Sequence, residues 1–218
     1  MLITFLGHSA FLIVTSSGTR IVTDPYDTSV FNEKLLYKAF TGEADVVTVS
    51  HSHGDHSGTR LIKGKPSVLS MAGTHTTHGV KITGVAAAHD EIHGATRGKN
   101  VIFVIEADGL RIVHCGDLGH ILTEAQQSEV GRVDVLMIPV GGYYTIDAAK
   151  ARIVAEQLRA KLVIPMHYRN AKCLFPIADV DSFLVGWEHV IRGGTSEVEV
   201  TSESLPESPT VCVLEPLM

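Results

Sequence analysis

Cysteine is scarce in this chain of 218 residues: Cys115, Cys173 and Cys212 are odd in number and far apart. That spacing argues against a disulfide framework and for a reducing compartment. Long apolar runs are missing as well, and nothing approaches the ~18 consecutive apolar residues of a membrane span. The apolar start, Met1 to Val14, lacks a basic leader and is broken by Gly7, His8 and Ser9, so it does not read as a signal peptide. No run of lysine or arginine occurs. Eighteen basic residues stand against 24 acidic ones, a formal net charge of −6, which is poorly suited to gripping a nucleic-acid backbone. Repeats and low-complexity tracts are absent too. The expectation is one cytoplasmic domain, residues 1–218, acting on a small molecule and binding neither membrane nor nucleic acid. A chain of this length buries roughly 70% of its unfolded surface.

Histidine, by contrast, is concentrated. His51-Ser52-His53-Gly54-Asp55-His56 packs four metal-ligand side chains into six residues. It follows Ala44–Ser50, an apolar, β-branched run that reads as a buried strand. His51 and His53 cannot both face inward from a regular strand, so the segment is a turn, which Gly54 permits. Imidazole and carboxylate together suit zinc, and also iron or manganese.

Strand-like runs at Leu2–Leu6, Phe11–Val14, Arg20–Thr23, Val46–Val49, Ser67–Leu69, Lys81–Ala87, Val101–Glu106 and Leu110–His114 fill the first half. Asp108-Gly109 marks a hairpin between the last two. Val133–Ile138 and Lys161–Ile164 read as buried strands around a helix over Asp147–Arg159, capped by Thr145, with Ile146, Ala149, Ile153, Val154 and Leu158 on one face. That is a β-α-β unit with a right-handed crossover. A final helix is expected over Ile177–Gly186, and closing strands at Glu197–Thr201 and Val211–Leu214. Residues 28–41 read as a short helix or an excursion over the site, and Gly73–Gly79 as an exposed polar turn. Pattern alone supports an α/β protein with a mixed sheet. Four of the runs end in ligand-type residues, at His51, His89, Asp117 and His167, so one sheet edge can gather them. His114, His189 and Trp187 carry no functional signal.

Further motifs accompany the histidine-rich turn: Thr4-Phe5-Leu6-Gly7-His8-Ser9-Ala10-Phe11, Thr23-Asp24-Pro25, Cys115-Gly116-Asp117-Leu118-Gly119-His120 and Ile164-Pro165-Met166-His167-Tyr168. Together, and in this order, they resemble the metallo-β-lactamase superfamily, with wording similar to the small hydrolases grouped with L-ascorbate-6-phosphate lactonase. The resemblance covers about residues 2–170. It implies a four-layer αβ/βα sandwich of two mixed β-sheets and two divalent metal ions, Zn2+ first, with Mn2+ or Fe as alternatives. One ion would lie on His51, His53 and His89, the other on Asp55, His56 and His167, with Asp117 bridging. For the third ligand of the first ion His89 is preferred over His75, His78 and His93. Asp55 and Asp117 would be the catalytic carboxylates, Asp55 moving a proton beside a metal-bridging hydroxide. Asp24 would orient a ligand from behind, and His8 and His120 would contact substrate or an outer water. The implied activity is cleavage of a small lactone, ester or amide, phosphorylated or not. Arg97, Lys99 and Arg169 are candidates for an anionic substrate, and Gly141-Gly142-Tyr143-Tyr144 for a pocket wall. Phosphodiester cleavage, iron dioxygenase chemistry and a metal-stabilised binding module stand as alternatives, and assembly into a homo-oligomer is compatible with all of them.

Overall fold

The computed structural model describes residues 1–31 and 33–217. The strands are β1 (Leu2–Gly7), β2 (Ala10–Val14), β3 (Arg20–Thr23), β4 (Val46–Thr48), β5 (Ser67–Leu69), β6 (Gly73–Thr77), β7 (Val80–Ala88), β8 (Lys99–Ala107), β9 (Leu110–His114), β10 (Val135–Pro139), β11 (Leu162–Met166), β12 (His189–Arg192), β13 (Glu197–Glu199) and β14 (Thr210–Val213). Helices are α1 (Glu124–Val130), α2 (Ala148–Gln157) and α3 (Asp181–Leu184). Two mixed sheets result, one ordered β13-β1-β2-β3-β4-β5 and the other β12-β14-β11-β10-β9-β8-β7-β6. In the first, β1, β2 and β3 are antiparallel and β3, β4 and β5 parallel. In the second, β6 to β9 form an antiparallel meander, and β9, β10, β11, β14 and β12 are parallel.

The period-two alternation of side chains assigns each residue of the first sheet to a layer. Phe5, Ile21 and Val46 pack into the core shared with Phe103, Ile105 and Ile112 of the second sheet, whereas Leu6, Val22 and Val47 face a smaller outer core with Tyr26, Tyr37 and Phe175. Among the described residues that outer core takes no side chain from α1, α2 or α3. It is covered by irregular chain, in which Leu36 N–H donates to Lys172 O (2.8 Å) and Leu174 N–H to Lys34 O (2.9 Å). The 28–41 stretch, apart from residue 32, which lies outside the described residues, is thus an excursion pinned to the 170–175 segment after one 3-10 turn at Thr28–Val30.

Several local expectations need correction. α2 is capped by Asp147, whose carboxylate accepts the Lys150 N–H, and not by Thr145. Its buried residues are Ala151, Val154 and Ala155, while Ile153 is 41% exposed and Ala149 faces solvent. Ile146, Val154 and Leu158 of the expected face are buried, and the small Ala151 and Ala155 complete it in place of Ala149 and Ile153. The helix expected over Ile177–Gly186 is one turn, Asp181–Leu184. The polar 73–79 stretch is mostly β6, an exposed edge strand paired with β7. β12 and α1 are additional elements; α1 buries only Val130. Among the described residues no helix is long and apolar enough to cross a membrane.

The sandwich is also tied across its layers at the end away from His8. The Asp108 carboxylate, in the β8–β9 hairpin, accepts from Ser16 N–H (2.7 Å) and Ser16 Oγ (2.8 Å) and lies 3.6 Å from the Met1 ammonium. Burial opposes its charge, but Ser16 and the N-terminus hold its pKa below the usual carboxylate value. A depressed folded-state pKa contributes stability above the unfolded value of about 3.9, and that contribution is lost as pH falls through the folded value. We therefore expect Asp108→Asn to cost about 1–2 kcal/mol in urea unfolding at pH 7 and to differ little from the native chain near pH 2. An equal cost at both values would show that the charge is immaterial.

Candidate metal centre

The site lies where strands of both sheets end. β1 delivers His8, β3 Asp24, β4 the 51–56 turn, β7 His89, β9 Asp117 and β11 His167. The two sheets are stitched together at this edge: His167 N–H donates to His8 O (2.8 Å), and Val101 N–H to Ser50 O (2.9 Å). His8, Asp24 and His167 all have left-handed backbone, with φ of 54°, 40° and 52°. Such residues cost about 1–3 kcal/mol each and persist where surrounding structure over-determines them. Gly116, with φ 54°, lies so close to its neighbours that a Cβ there would stand 2.4 Å from both Ser50 Cβ and Asn100 Oδ1. Asn100 in turn donates to Cys115 O (2.8 Å) and accepts the Asp117 N–H (3.0 Å), fixing the approach of Asp117.

Asp117 is buried at the centre. Its carboxylate oxygens lie 3.1 Å from His56 Nε2, 3.2 Å from His89 Nε2, 3.4 Å from His167 Nε2 and 3.8 Å from His51 Nε2. Ligand atoms within 4.8 Å of one another form three groups: His51, His53 and His89; His8, Asp55, His56 and His167; and Asp24, His51 and His56, which joins the first two from behind. The structure thus brings His89 to His51 and His53. His75 and His78 are exposed at β6 and its turn, and His93 is exposed in the loop after His89.

Asp24 governs two of these rings. Its carboxylate accepts Ser50 N–H (2.7 Å), Ser50 Oγ–H (2.5 Å) and His56 Nδ1–H (2.7 Å). Because the single Ser50 hydroxyl proton goes to Asp24, the 2.9 Å contact between Ser50 Oγ and His51 Nδ1 is donated by the ring. Asp24 therefore sets His56 directly, and His51 through Ser50, as tautomers whose Nε2 lone pairs face the cluster. Those two Nε2 atoms, with Asp117 Oδ1, are buried without a hydrogen-bond partner. Buried polar atoms rarely stay unpaired, and a bound ion is one of the few explanations for a convergent set. The residues present fit divalent cations.

The electrostatics agree. Burial, reinforced by His56, pushes His51 down to about 3, and burial with His167 pushes His8 down to about 4, so both rings are neutral at pH 7 and able to donate lone pairs. Burial opposes the charge on Asp117, but His167 and His56 hold its carboxyl well below the usual range. Burial would likewise lower His56, yet Asp117 and Asp55 hold it well above an ordinary imidazole. A cation bound at Nε2 would take the place of that proton and use the freed lone pair.

The remaining expected residues separate by place. Asp55 lies 3.1 Å from His8 Nε2, and the other ring nitrogen of His8 faces Cys173 Sγ at 3.9 Å. His120 accepts the Ala88 N–H and donates to Ile121 O, so it braces the end of β7 and does not line the cleft. Ser50, Asn100 and His114 were not singled out from sequence. His114 Nε2–H donates to Ser9 O (2.8 Å) and Nδ1 accepts the Gly116 N–H (3.2 Å), clamping the turn before Asp117. Only the position of Ser50, directly before the histidine-rich turn, could have drawn attention. Above the cluster opens a cleft of about 650 Å³, floored by His53, Asp55, His89, Asp117 and His167.

Comparison with known proteins gives the same class. The beta-lactamase superfamily domain matches residues 2–167. A UPF0173 metal-dependent hydrolase of Archaeoglobus fulgidus is 31% identical over 210 aligned positions, covering 83% of this chain and 87% of that one. Another, from Pelotomaculum thermopropionicum, is 32% identical, with coverage of 93% and 97%. A Thermotoga maritima crystal structure, provisionally described as a Zn-dependent hydrolase of the metallo-β-lactamase superfamily, superposes with a TM-score of 0.81 at 40% identity over 98% of both chains. The chain belongs to the metallo-β-lactamase superfamily, and within it to the metal-dependent hydrolases.

If the Asp24–Ser50 relay presets the ligands, Asp24→Asn should weaken cation affinity by about 10–100-fold, and Ser50→Ala should do so by less. Competition against a chromogenic chelator measures this, with near-ultraviolet circular dichroism as the control for folding. Unchanged affinity in a folded Asp24→Asn protein would remove the relay from the account.

Proposed function

We propose that the chain hydrolyses a small lactone, ester or amide in the cytoplasm, using two divalent cations, zinc in the first instance. His51, His53 and His89 would hold one, Asp55, His56 and His167 the other, and Asp117 would lie between them. The observation that supports this reading is the gathering of histidine and carboxylate ligand groups around the buried Asp117, with the Nε2 atoms of His51 and His56 unpartnered. Cations held there would polarise the scissile carbonyl and acidify water toward a pKa of about 7.

The chain's own residues would then do the following. Asp55 borders the cleft and is held by the neutral His8 ring, whose Nε2–H donates to Asp55 Oδ2 while Nδ1 faces the Cys173 thiol. His56 and His8 keep the Asp55 carboxyl below its usual pKa against the effect of burial, so it is ionised at neutral pH. It can take the proton of the attacking water and return it to the leaving alkoxide or amine. His8 is a positioning residue here. A cleft of this size suits a small molecule, and the three free, buried cysteines suit a reducing compartment.

The experiment is turnover of a panel of lactones, aryl esters and amides by zinc- and manganese-loaded protein, before and after chelation. We expect activity that is lost with the metal and restored on its return. His51→Ala and Asp117→Ala should lower kcat/KM by at least about 1000-fold. Full activity after complete chelation, or in either variant, would contradict the proposal.

A further inference from the structure

The walls of the cleft are not uniform. Phe31 and Phe175 meet edge to face at 5.7 Å between centroids, and Tyr144 continues the arc at 6.1 Å from Phe175. The Arg97 guanidinium carbon then lies 5.9 Å from the Tyr144 ring centroid. All four side chains line the same cleft above the cluster, so the wall runs from apolar to cationic.

Arg97 is fixed from below. The Asp90 carboxylate collects the N–H groups of Ile92 (3.0 Å), Gly94 (2.7 Å), Thr96 (2.9 Å) and Arg97 (2.8 Å). Asp90 directly follows His89, and Gly98 O accepts the His89 N–H (3.0 Å). The loop therefore holds Arg97 in a set relation to a member of the metal cluster. Its guanidinium has no carboxylate partner among the described residues. In an acidic chain whose other arginines largely pair, that is unusual: Arg169, an alternative from sequence, contacts Asp179 at 3.4 Å, and Lys99 does not line the cleft. Lys34 also borders the cleft, but its side chain is exposed, and its backbone is tied to Phe31 and Leu174 and not to the loop that carries His89.

We propose that Arg97 recognises an oxyanion, carboxylate or phosphate, on a substrate whose apolar part lies against Phe31 and Phe175, with the scissile carbonyl over the metal cluster. This rests on the hydrolase reading of the same centre. A guanidinium held near a ring, with no carboxylate on it, keeps its N–H fork available for the paired hydrogen bonds that such anions accept. The apolar arc explains why the anion would be carried by an aryl or alkyl group and not by a sugar-like body.

Two measurements test this, the first on metal-loaded protein. The first compares kcat/KM for mono-4-nitrophenyl succinate and the neutral 4-nitrophenyl butyrate. The native enzyme should prefer the anionic ester, and Arg97→Met, which keeps the stem over Tyr144, should reduce that preference by about 10–100-fold, chiefly through KM. Lys34→Gln should reduce it far less. The second is calorimetric binding of phenylacetate and phenylphosphonate to the native chain, to R97M and to the metal-depleted H51A. A tenfold or greater loss in R97M with binding retained in H51A supports Arg97, and the tighter probe identifies the oxyanion. Unchanged binding in R97M, a larger effect of K34Q, or binding abolished by H51A alone would overturn the assignment. If no ester is turned over but R97M still loses binding, the hydrolase reading fails and the anion site stands.

Discussion

One buried carboxylate organises this molecule. Asp117 is surrounded by imidazole nitrogens of His51, His56, His89 and His167 at 3.1–3.8 Å, contributed by both sheets. So much unpaired polarity inside a protein costs more than packing recovers unless positive charge compensates it. The carboxylates of Asp117 and Asp55 favour the charged form of His56, which supplies some of it. With cations bound, the imidazole lone pairs would become ligands. The left-handed residues His8, Asp24 and His167, the close approach at Gly116 and two of the cross-sheet hydrogen bonds gather around this requirement.

The supporting layer explains how the imidazoles are ready before a cation arrives. Asp24 is 26 residues from Ser50 in sequence, yet one carboxylate fixes the backbone of the turn and the tautomers of two rings. His114 and Asn100 do the corresponding task for the loop that presents Asp117. Preorganisation of this kind is what separates a cluster of histidines from a catalytic centre. It also leaves the cleft walls free to differ, which is where substrate choice would reside.

Much of this was legible in the sequence because each ligand follows an apolar, β-branched run that had to be a buried strand. Val46–Thr48 ends shortly before His51, and Leu162–Met166 ends at His167. What escaped notice has physical reasons. β6 and β12 are exposed edge strands with no apolar alternation to mark them. α1 buries one residue, so it lacks a hydrophobic stripe, although the Thr123–Gln126 capping box was written in the sequence. Ser50, Asn100 and His114 act through partners distant in sequence, and nothing local distinguishes them from ordinary strand-end residues. The orienting role expected of Asp24 gains its means, the Ser50 hydroxyl, only when the chain closes.

The measurement that tests the central claim most directly is anomalous diffraction from crystals of the zinc-loaded protein. The account predicts two peaks flanking Asp117, one within bonding distance of His51, His53 and His89, the other of Asp55, His56 and His167. A single peak elsewhere, or no bound zinc at saturating concentration, would contradict it.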